Sequence, residues 1–265
     1  MFSLPSSAEL AAGLPPDTPF RRIVVKASTG STNADVGALA RDGEPEGLAL
    51  IAMEQTGGRG RLDRTWVSPA GASVAISVLL TPRPAFPQWG WLSILAGMAV
   101  SSAVRDLAPD PSLVTLKWPN DVLINGAKVC GILSERIERP DGARAVVGMG
   151  INLSLTREQL PVPGATSLAL EGIGHDVAAV VAGVLTHFGR YYRQWSLTGT
   201  LREEYQQRCS SIGSQLTVIL DGDTSVTGIG RGVDRYGRLQ VATASGEQTF
   251  AVGDVVHARL GHVPH

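Results

Sequence analysis

Cysteine and aromatic residues are scarce in this sequence of 265 residues, and neither sign of charge is in large excess. Its two cysteines, Cys130 and Cys209, form no CxxC pair, which argues against a disulfide framework or a cysteine-rich zinc site and favours a reducing compartment. The five histidines give no HExxH pattern, so we predict no protein-held metal. Lysine and arginine number 23 against 24 acidic residues, a balance that argues against a dedicated nucleic-acid binder.

A hydrophobic run long enough for a membrane span is also lacking. Residues 85–104 carry no charge, but one proline, one glutamine, two glycines and three serines dilute them, so we expect a buried helix over residues 91–107. The N-terminus has neither the basic start nor the apolar core of a signal peptide. We therefore expect a cytoplasmic protein that makes no membrane contact.

Several catalytic signatures are missing as well. The sequence contains no Walker A, GxSxG or SxxK motif, which disfavours P-loop enzymes and the common serine hydrolases. Its hydrophobic content of 43% is enough for a sizeable core. The sequence thus predicts a globular enzyme or binding protein of another class.

Hydrophobic periodicity predicts two units. Residues 1–22 are expected to be a tail or lead-in to the first, which ends near residue 212. Strands are predicted over residues 23–26, 48–53, 73–80, 114–117, 121–124, 128–136 and 145–150, and helices over residues 34–41, 91–107, 176–195 and 201–209, with Asp176 as an N-cap. Residues 213–265 contain five short β-type runs separated by turn residues, which predicts a small antiparallel barrel.

The most specific local pattern is the loop of residues 57–66, GGRGRLDRTW. Its glycines let backbone amides approach an anion, and Arg59, Arg61 and Arg64 add guanidinium groups that suit phosphate or carboxylate. Trp66 can offer a flat face to a base. The same composition also fits a solvated basic loop without a ligand.

A second polar run, residues 117–121 (KWPND), lies between two predicted strands. It places a cation, an amide and a carboxylate on a turn, which suits ligand binding and equally suits an ordinary turn with a surface ion pair. Lys128 follows, either as a phosphate ligand or as a solvated charge. Residues 148–152 (GMGIN) end a strand, and Asn152 can bind a base edge or cap the turn.

Taken in order, these residues resemble the biotin protein ligases. The matching positions run over nearly the whole chain, and GRGR followed by KWPND and GIN is far more specific than any one piece. They are Ser31-Thr32-Asn33, Gln55, Gly58-Arg59-Gly60-Arg61 with Arg64 and Trp66, residues 117–121, Lys128, Gly131-Ile132-Leu133 with Glu135, Gly148, Gly150-Ile151-Asn152, and residues 228–239.

The resemblance implies an α+β fold: a catalytic domain related to class II aminoacyl-tRNA synthetases, with a mixed sheet and flanking helices, followed by an SH3-like β-barrel. It implies a two-step reaction. Biotin and Mg·ATP give biotinyl-5′-AMP and pyrophosphate, and the anhydride then acylates a lysine of a biotin carboxyl carrier protein, such as that of acetyl-CoA or another acyl-CoA carboxylase. ATP, biotin and Mg²⁺ are the implied small molecules, and no nucleic acid is expected.

The resemblance also implies roles for individual residues. Biotin carries a carboxylate and ATP carries phosphates. Because these negative groups repel each other, cations are expected at the reacting centre. The implied catalytic residues are Lys128, Arg59 and Asp121, the last of which would orient the acceptor lysine. Biotin contacts are implied for Ser31, Thr32, Asn33, Gln55, Gly58, Arg59, Arg61, Lys128 and Gly131. Nucleotide contacts are implied for Arg59, Arg61, Arg64, Trp66, Lys117, Asn120, Lys128 and Asn152.

The chain departs from the family pattern at two points. Asp63 stands where family loops often carry glycine, so it is expected to pair with Arg61 and Arg64 in the ligand-free loop. No DNA-binding domain of the kind found in some members is expected ahead of residue 23. We further expect the loop of residues 57–66 to be disordered without ligand and to become ordered on biotinyl-AMP.

Three alternatives stay open at this point. A lipoate–protein ligase shares the catalytic fold, although GRGR together with KWPND argues against it. A ligand-sensing transcription regulator is disfavoured by the neutral charge balance and the missing helix-turn-helix. A non-catalytic binding protein that retained the pocket is the third.

Overall fold

The computed structural model describes residues 4–60, 65–66, 68–220 and 224–257. Helices span Ser7–Ala12 (α1), Thr32–Arg41 (α2), Gly90–Leu107 (α3), Val177–Thr198 (α4) and Arg202–Gln206 (α5). Strands span Arg22–Lys26 (β1), Leu48–Ala52 (β2), Gly58–Arg59 (β3), Thr65–Trp66 (β4), Ser73–Leu80 (β5), Val114–Lys117 (β6), Asp121–Ile124 (β7), Ala127–Ile137 (β8), Arg144–Asn152 (β9), Gln215–Ile219 (β10), Ser225–Val233 (β11), Leu239–Thr243 (β12), Gly246–Phe250 (β13) and Asp254–His257 (β14).

The larger sheet has seven strands in the order β1-β2-β5-β9-β8-β7-β6. Its first pair, β1 and β2, is parallel, and the others are antiparallel, which confirms the predicted mixed sheet. Strand β2 is buried along its whole length because successive side chains point to opposite, covered faces of the sheet. Leu48 and Leu50 pack with α2, and Ala49 and Ile51 join the core that contains α3 and α4.

The C-terminal sheet has five antiparallel strands in the order β13-β12-β11-β10-β14. Its hairpin turn between β11 and β12 docks on the first unit through two buried indoles. Trp91 Nε1 donates to the Arg235 carbonyl at 2.9 Å, and Trp118 Nε1 donates to the Gly237 carbonyl at 2.9 Å. Buried indole N–H groups need such partners, so these two bonds fix where the small sheet lies.

Most predicted elements are confirmed to within a few residues. Strands β5, β6 and β7 have the predicted bounds, and Asp176 caps α4 by accepting from the Ala179 amide at 2.9 Å. The helix predicted over residues 201–209 is shorter, spanning Arg202–Gln206. Among the described helices, none has the length and apolar character needed to cross a membrane.

The interpretation of the first residues as a mere lead-in was incomplete. Helix α1 begins with a reciprocal capping box in which Ser6 accepts from the Glu9 amide and the Glu9 carboxylate accepts from the Ser6 amide. Leu10, Leu14 and Phe20 are buried in the main core. The segment is therefore an integral part of the first unit, held by its apolar side chains.

Candidate functional site

A cleft of about 890 Å³ opens between the seven-stranded sheet, the β3–β4 hairpin and one edge of the C-terminal sheet. Most of the predicted site residues line it, although they come from widely separated parts of the chain. They are Ser31, Thr32, Asn33, Gln55, Arg59, Trp66, Lys117, Asn120, Asp121, Lys128, Gly131 and Asn152. Arg61, Asp63 and Arg64 fall outside the described residues, as does the rest of the 61–64 segment of the loop whose ordering the sequence predicted.

The middle of the cleft has a flat floor made of Gly131 and Gly150, which are opposite each other on β8 and β9. The indole of Trp66 lies directly on this glycine floor. A Cβ atom on Gly131 would come within 2.5 Å of the ring, and one on Gly150 within 2.8 Å. Only glycine leaves room for the ring at these two positions, so the sheet itself positions Trp66.

Gly58 lies against the backbone of the same tryptophan. A Cβ atom there would lie 2.6 Å from the Trp66 carbonyl oxygen and 3.0 Å from Gln55 Nε2. Gly58 and Trp66 are paired across the β3–β4 hairpin. The position thus requires glycine for the close approach of the two hairpin strands.

One end of the cleft is lined by the uncharged polar side chains of Ser31, Thr32, Asn33 and Gln55, with Ser77 buried behind them; these five residues are called the neutral end. Gln55 Oε1 accepts from the Thr32 amide at 2.8 Å and from the Thr32 hydroxyl at 3.0 Å. Ser77 Oγ lies 2.7 Å from both Thr32 Oγ1 and Asn33 Oδ1. Ser31 is the N-cap of α2 and accepts from the Ala34 amide. These contacts fix the groups before any ligand is present.

The side-chain amide of Asn33 is largely engaged within the protein. Its Nδ2 donates to the Leu133 carbonyl at 3.2 Å and to Glu135 Oε2 at 2.7 Å, while Oδ1 lies beside Ser77. A Cβ atom on Gly148 would come within 2.2 Å of Asn33 Oδ1. Gly148, the first glycine of GMGIN, is therefore needed to leave room for the Asn33 side chain.

The other end of the cleft is charged; Lys117, Asp121 and Lys128 form this charged end. Lys117 and Asp121 are opposite each other across the β6–β7 turn, and Lys117 Nζ lies 2.9 Å from Asp121 Oδ2. Lys128 forms an ion pair with Asp121 Oδ1. Burial opposes ionisation of Asp121, whose side chain is 18% exposed, but the two ammonium groups outweigh it and hold the pKa of that carboxyl below its ordinary value.

A β-bulge aligns Lys128 with the glycine floor. Val122 is opposite Cys130 and Leu123 is opposite Lys128, so Val129 is an extra residue in β8. In a regular strand, positions 128 and 131 would point to opposite faces, and the extra residue brings them to the same one. The backbone of Lys128 is also held by the Lys128 amide donating to the Gly164 carbonyl at 2.8 Å.

Two residues of the KWPND turn support it from within. Trp118 is buried, with its backbone amide donating to Ser211 Oγ at 3.1 Å and its indole held by Gly237. Asn120 is buried and its Nδ2 reaches the Ile132 carbonyl at 3.5 Å. Asn152 is likewise buried and donates to the Thr166 carbonyl at 2.9 Å, which fits the turn-holding alternative.

Part of the cleft was missed by sequence reasoning. Ile219, Val255, Val256 and His257 line it from the C-terminal sheet, where the strand pattern contained no polar signature. His257 Nε2 lies 3.0 Å from Ser211 Oγ. Burial and then the charge of Lys117 both lower the pKa of this imidazole, so it is neutral at pH 7.

Comparison with known proteins agrees with this geometry. The model of the biotin/lipoate A/B protein ligase family matches residues 27–152, and that of the biotin protein ligase C-terminal domain matches residues 211–258. The chain is 40% identical over 248 residues to the biotin–[acetyl-CoA-carboxylase] ligase of Mycobacterium tuberculosis, covering 91% of this chain and 90% of that one. This chain belongs to the biotin protein ligase family. The family predicted from the sequence is thereby confirmed.

Two further relatives extend the family match. The biotin–[acetyl-CoA-carboxylase] ligase of Paracoccus denitrificans is 33% identical over 86% of this chain and 98% of its own length. The solved biotin protein ligase from Aquifex aeolicus, in complex with biotin and ATP, superposes with a TM-score of 0.75 at 26% identity, over 91% of this chain and all of that one. The predicted α+β fold with its small C-terminal β-unit is confirmed.

Proposed function

We propose that this chain is an ATP-dependent biotin–[biotin carboxyl-carrier protein] ligase. It forms biotinyl-5′-AMP from biotin and ATP, and it then transfers the biotinyl group to a lysine of a carrier domain. The relatives named for an acetyl-CoA carboxylase make that enzyme's carrier domain the natural acceptor. We keep the expectation that the reaction takes place in the cytoplasm, without nucleic acid.

One observation carries the proposal: a single cleft joins a neutral end to a charged end across the glycine floor. Lys128, at the charged end, and Leu133, whose carbonyl accepts from Asn33, are five residues apart on β8, roughly 15 Å. Biotin has a neutral ureido ring at one end and a carboxylate at the other. The cleft therefore has the polarity and the length for biotin to lie along β8 with its carboxylate toward Lys128.

The first step joins two anions. A carboxylate oxygen of biotin attacks the α-phosphorus of ATP, the bond from that phosphorus to the bridging oxygen breaks, and pyrophosphate leaves. Lys128 is the cation placed to offset the charge that collects on the α-phosphoryl oxygens. Its ammonium is already aimed by Asp121 and by the bulge in β8, so little reorganisation is needed when substrate binds.

The nucleotide occupies the part of the cleft between Trp66 and the charged end. Trp66 offers its exposed face for stacking, and Lys117 adds a second cation near the phosphates. Asn120 and Asn152 shape this part chiefly by holding the backbone of Ile132 and Thr166. Arg59, Arg61 and Arg64 are assigned to the phosphates and the biotin carboxylate, as the resemblance implies.

The second step is an acyl transfer. The neutral amine of the carrier lysine attacks the carbonyl carbon of the mixed anhydride, the C–O bond to phosphate breaks, and AMP leaves while the amine loses a proton. Asp121 is the carboxylate assigned to orient that amine. Because its pKa is lowered, Asp121 is ionised at neutral pH and suits hydrogen bonding to an N–H group better than proton abstraction.

Mg²⁺ enters as part of the substrate Mg·ATP. Within the described parts of the chain, no group of three or more histidine, cysteine, aspartate or glutamate side chains could hold a metal ion. Mg²⁺ commonly keeps several waters and binds mainly through substrate phosphates in such sites. We therefore assign the ion to the ATP phosphates.

Isotope exchange between pyrophosphate and ATP tests the first step and the choice of substrate. We expect exchange that depends on biotin and is absent with lipoate, because the neutral end offers paired donors and acceptors to a ureido ring. Exchange supported by lipoate would favour the lipoate ligase alternative. An intact protein that gives no exchange with biotin would refute the proposed activity.

A further inference from the structure

Glu135, near the end of β8, has a carboxylate that bridges two parts of the site. Its Oε2 accepts from Asn33 Nδ2 at 2.7 Å, which ties it to the neutral end. Its Oε1 lies 3.3 Å from Arg59 Nη2, on the β3–β4 hairpin. No role in the reaction described above uses this residue, although it is the acid that engages the proposed catalytic arginine.

The position of Glu135 conflicts with the role assigned to Arg59. Glu135 and Lys128 are seven residues apart on β8, which corresponds to roughly 20 Å between their backbones after allowance for the bulge. A guanidinium beside the Glu135 carboxylate cannot contact an anion that is also bound by the Lys128 ammonium. Arg59 must therefore leave Glu135 before it can act on the reacting groups.

The geometry points to Glu135 as a positioning residue that holds Arg59 in the ligand-free enzyme and competes with the anionic ligand for it. This inference rests on the proposed function, because the competing anion is the phosphate or carboxylate of biotinyl-AMP and its precursors. The bond to Asn33 fixes the carboxylate in place and keeps it from following the arginine. Ligand binding thus exchanges one anion beside Arg59 for another.

The strength of the pair suits reversible exchange. The Arg59 side chain is 56% exposed and that of Glu135 is 29% exposed, so water and salt screen their attraction. Exposed ion pairs of this kind change an equilibrium constant by at most about fivefold. Glu135 is therefore expected to tune ligand affinity by a few-fold while leaving the chemical step itself to other residues.

The decisive variant is Glu135→Gln, which removes the charge and keeps an oxygen able to accept from Asn33. Biotinyl-AMP binding is measured by titration calorimetry on the full-length protein. We expect the dissociation constant to fall about two- to fivefold, with kcat for adenylate formation little changed. Glu138→Gln is the matched control, because Glu138 pairs with Arg136 on the outer surface, away from the cleft. It should leave the dissociation constant unchanged.

A second background separates competition from a merely structural effect. Arg59→Ala removes the arginine that pairs with this carboxylate among the described residues, so adding Glu135→Gln should no longer tighten binding. Glu135→Ala, which also removes the acceptor for Asn33, should forfeit the gain seen with Glu135→Gln. Glu135→Asp, a shorter acid, should give a smaller gain and serves if the glutamine variant unfolds at a lower temperature than wild type.

The outcomes are distinct. Unchanged or weaker binding by Glu135→Gln, or a gain that persists without Arg59, would overturn the inference and leave the proposed function standing. Failure of the folded wild-type protein to bind biotinyl-AMP would overturn both, since the competing ligand would then be wrong. Tighter binding that requires Arg59 supports both.

Discussion

The two ends of the cleft are built by different physical means. At the neutral end, hydrogen bonds among Thr32, Gln55 and Ser77 hold uncharged groups that are mostly buried. At the charged end, Asp121 satisfies two lysines through ion pairs that remain partly exposed. Buried hydrogen bonds fix a shape, whereas partly exposed ion pairs can exchange partners when another anion arrives. The neutral end is thus suited to recognising the substrate, and the charged end to stabilising the negative charge that develops during the reaction.

Removing the central cation should break the charged end most severely. We expect Lys128→Ala to slow adenylate formation by about 100- to 1,000-fold, because a preorganised positive group at a developing phosphoryl charge contributes on this scale. Single-turnover formation of biotinyl-AMP measures the effect. Lys26→Ala is the control, since Lys26 also pairs with an aspartate, Asp35, but does not line the cleft. Near-normal adenylate formation by Lys128→Ala would remove this lysine from the chemistry.

Filling the floor between the two ends should have the next largest effect. Gly131→Ala would place a methyl group within 2.5 Å of the Trp66 ring and push the indole into the cleft. We expect biotinyl-AMP affinity to fall about 10- to 100-fold, the range of an overpacked site. Calorimetric titration with biotinyl-AMP measures the change. Gly174→Ala is the control, because a Cβ atom there meets open space, and it should leave the affinity unchanged. Equal affinities of the two variants would contradict the proposed role of the glycine floor.

Altering the neutral end should affect recognition alone. Thr32→Val keeps the side-chain shape but removes the hydroxyl that lies between Ser77 and Gln55. A typical hydrogen bond contributes about 0.5–1.5 kcal/mol, so we expect the KM for biotin to rise about two- to tenfold with the KM for ATP unchanged. Thr227→Val, on the exposed face of the small sheet, is the control. An equal rise in both KM values would contradict the division of roles.

Acid should weaken the charged end by a smaller, pH-dependent amount. The pKa of Asp121 in the folded protein lies below its ordinary value of 3.8, so its stabilising contribution is complete above that value and is lost as pH falls through the folded pKa. The difference in unfolding free energy between wild type and Asp121→Asn should therefore be constant above about pH 5 and shrink below about pH 4. Urea unfolding across this range measures it, and a difference that grows on acidification would show the opposite shift.

Much of the fold was predictable, because its elements follow local patterns. Strands β2 and β5 are continuous apolar runs, and helix α4 has an N-cap followed by apolar residues at helical spacing. Each of these patterns can be recognised in the sequence alone. The short helix α1 was missed since only six residues carry its pattern, and its burial depends on contacts with distant α4. Its S-x-x-E capping box was the local signal that could have revealed it.

The site was predictable in its membership but less so in its contacts. Lys128 and Asp121 come together through a bulge at Val129, and no local pattern marks that extra residue. Ser77 was overlooked because it lies within the apolar strand β5. A serine in the middle of an apolar strand was the signal in the sequence that could have indicated a buried polar contact. The indole of Trp118 in KWPND donates to the Gly237 carbonyl, which lies more than a hundred residues away along the chain, so no local pattern could reveal this contact.

Transfer of biotin to a carrier domain tests the central claim most directly. The purified protein is incubated with biotin, Mg·ATP and the biotin carboxyl carrier domain of an acetyl-CoA carboxylase, and the carrier is weighed by intact-mass spectrometry. We predict a single mass increase equal to one biotinyl group, dependent on both biotin and ATP and lost when the carrier's acceptor lysine is replaced by arginine. A carrier that keeps its original mass, although the enzyme is folded and both substrates are present, would contradict the account.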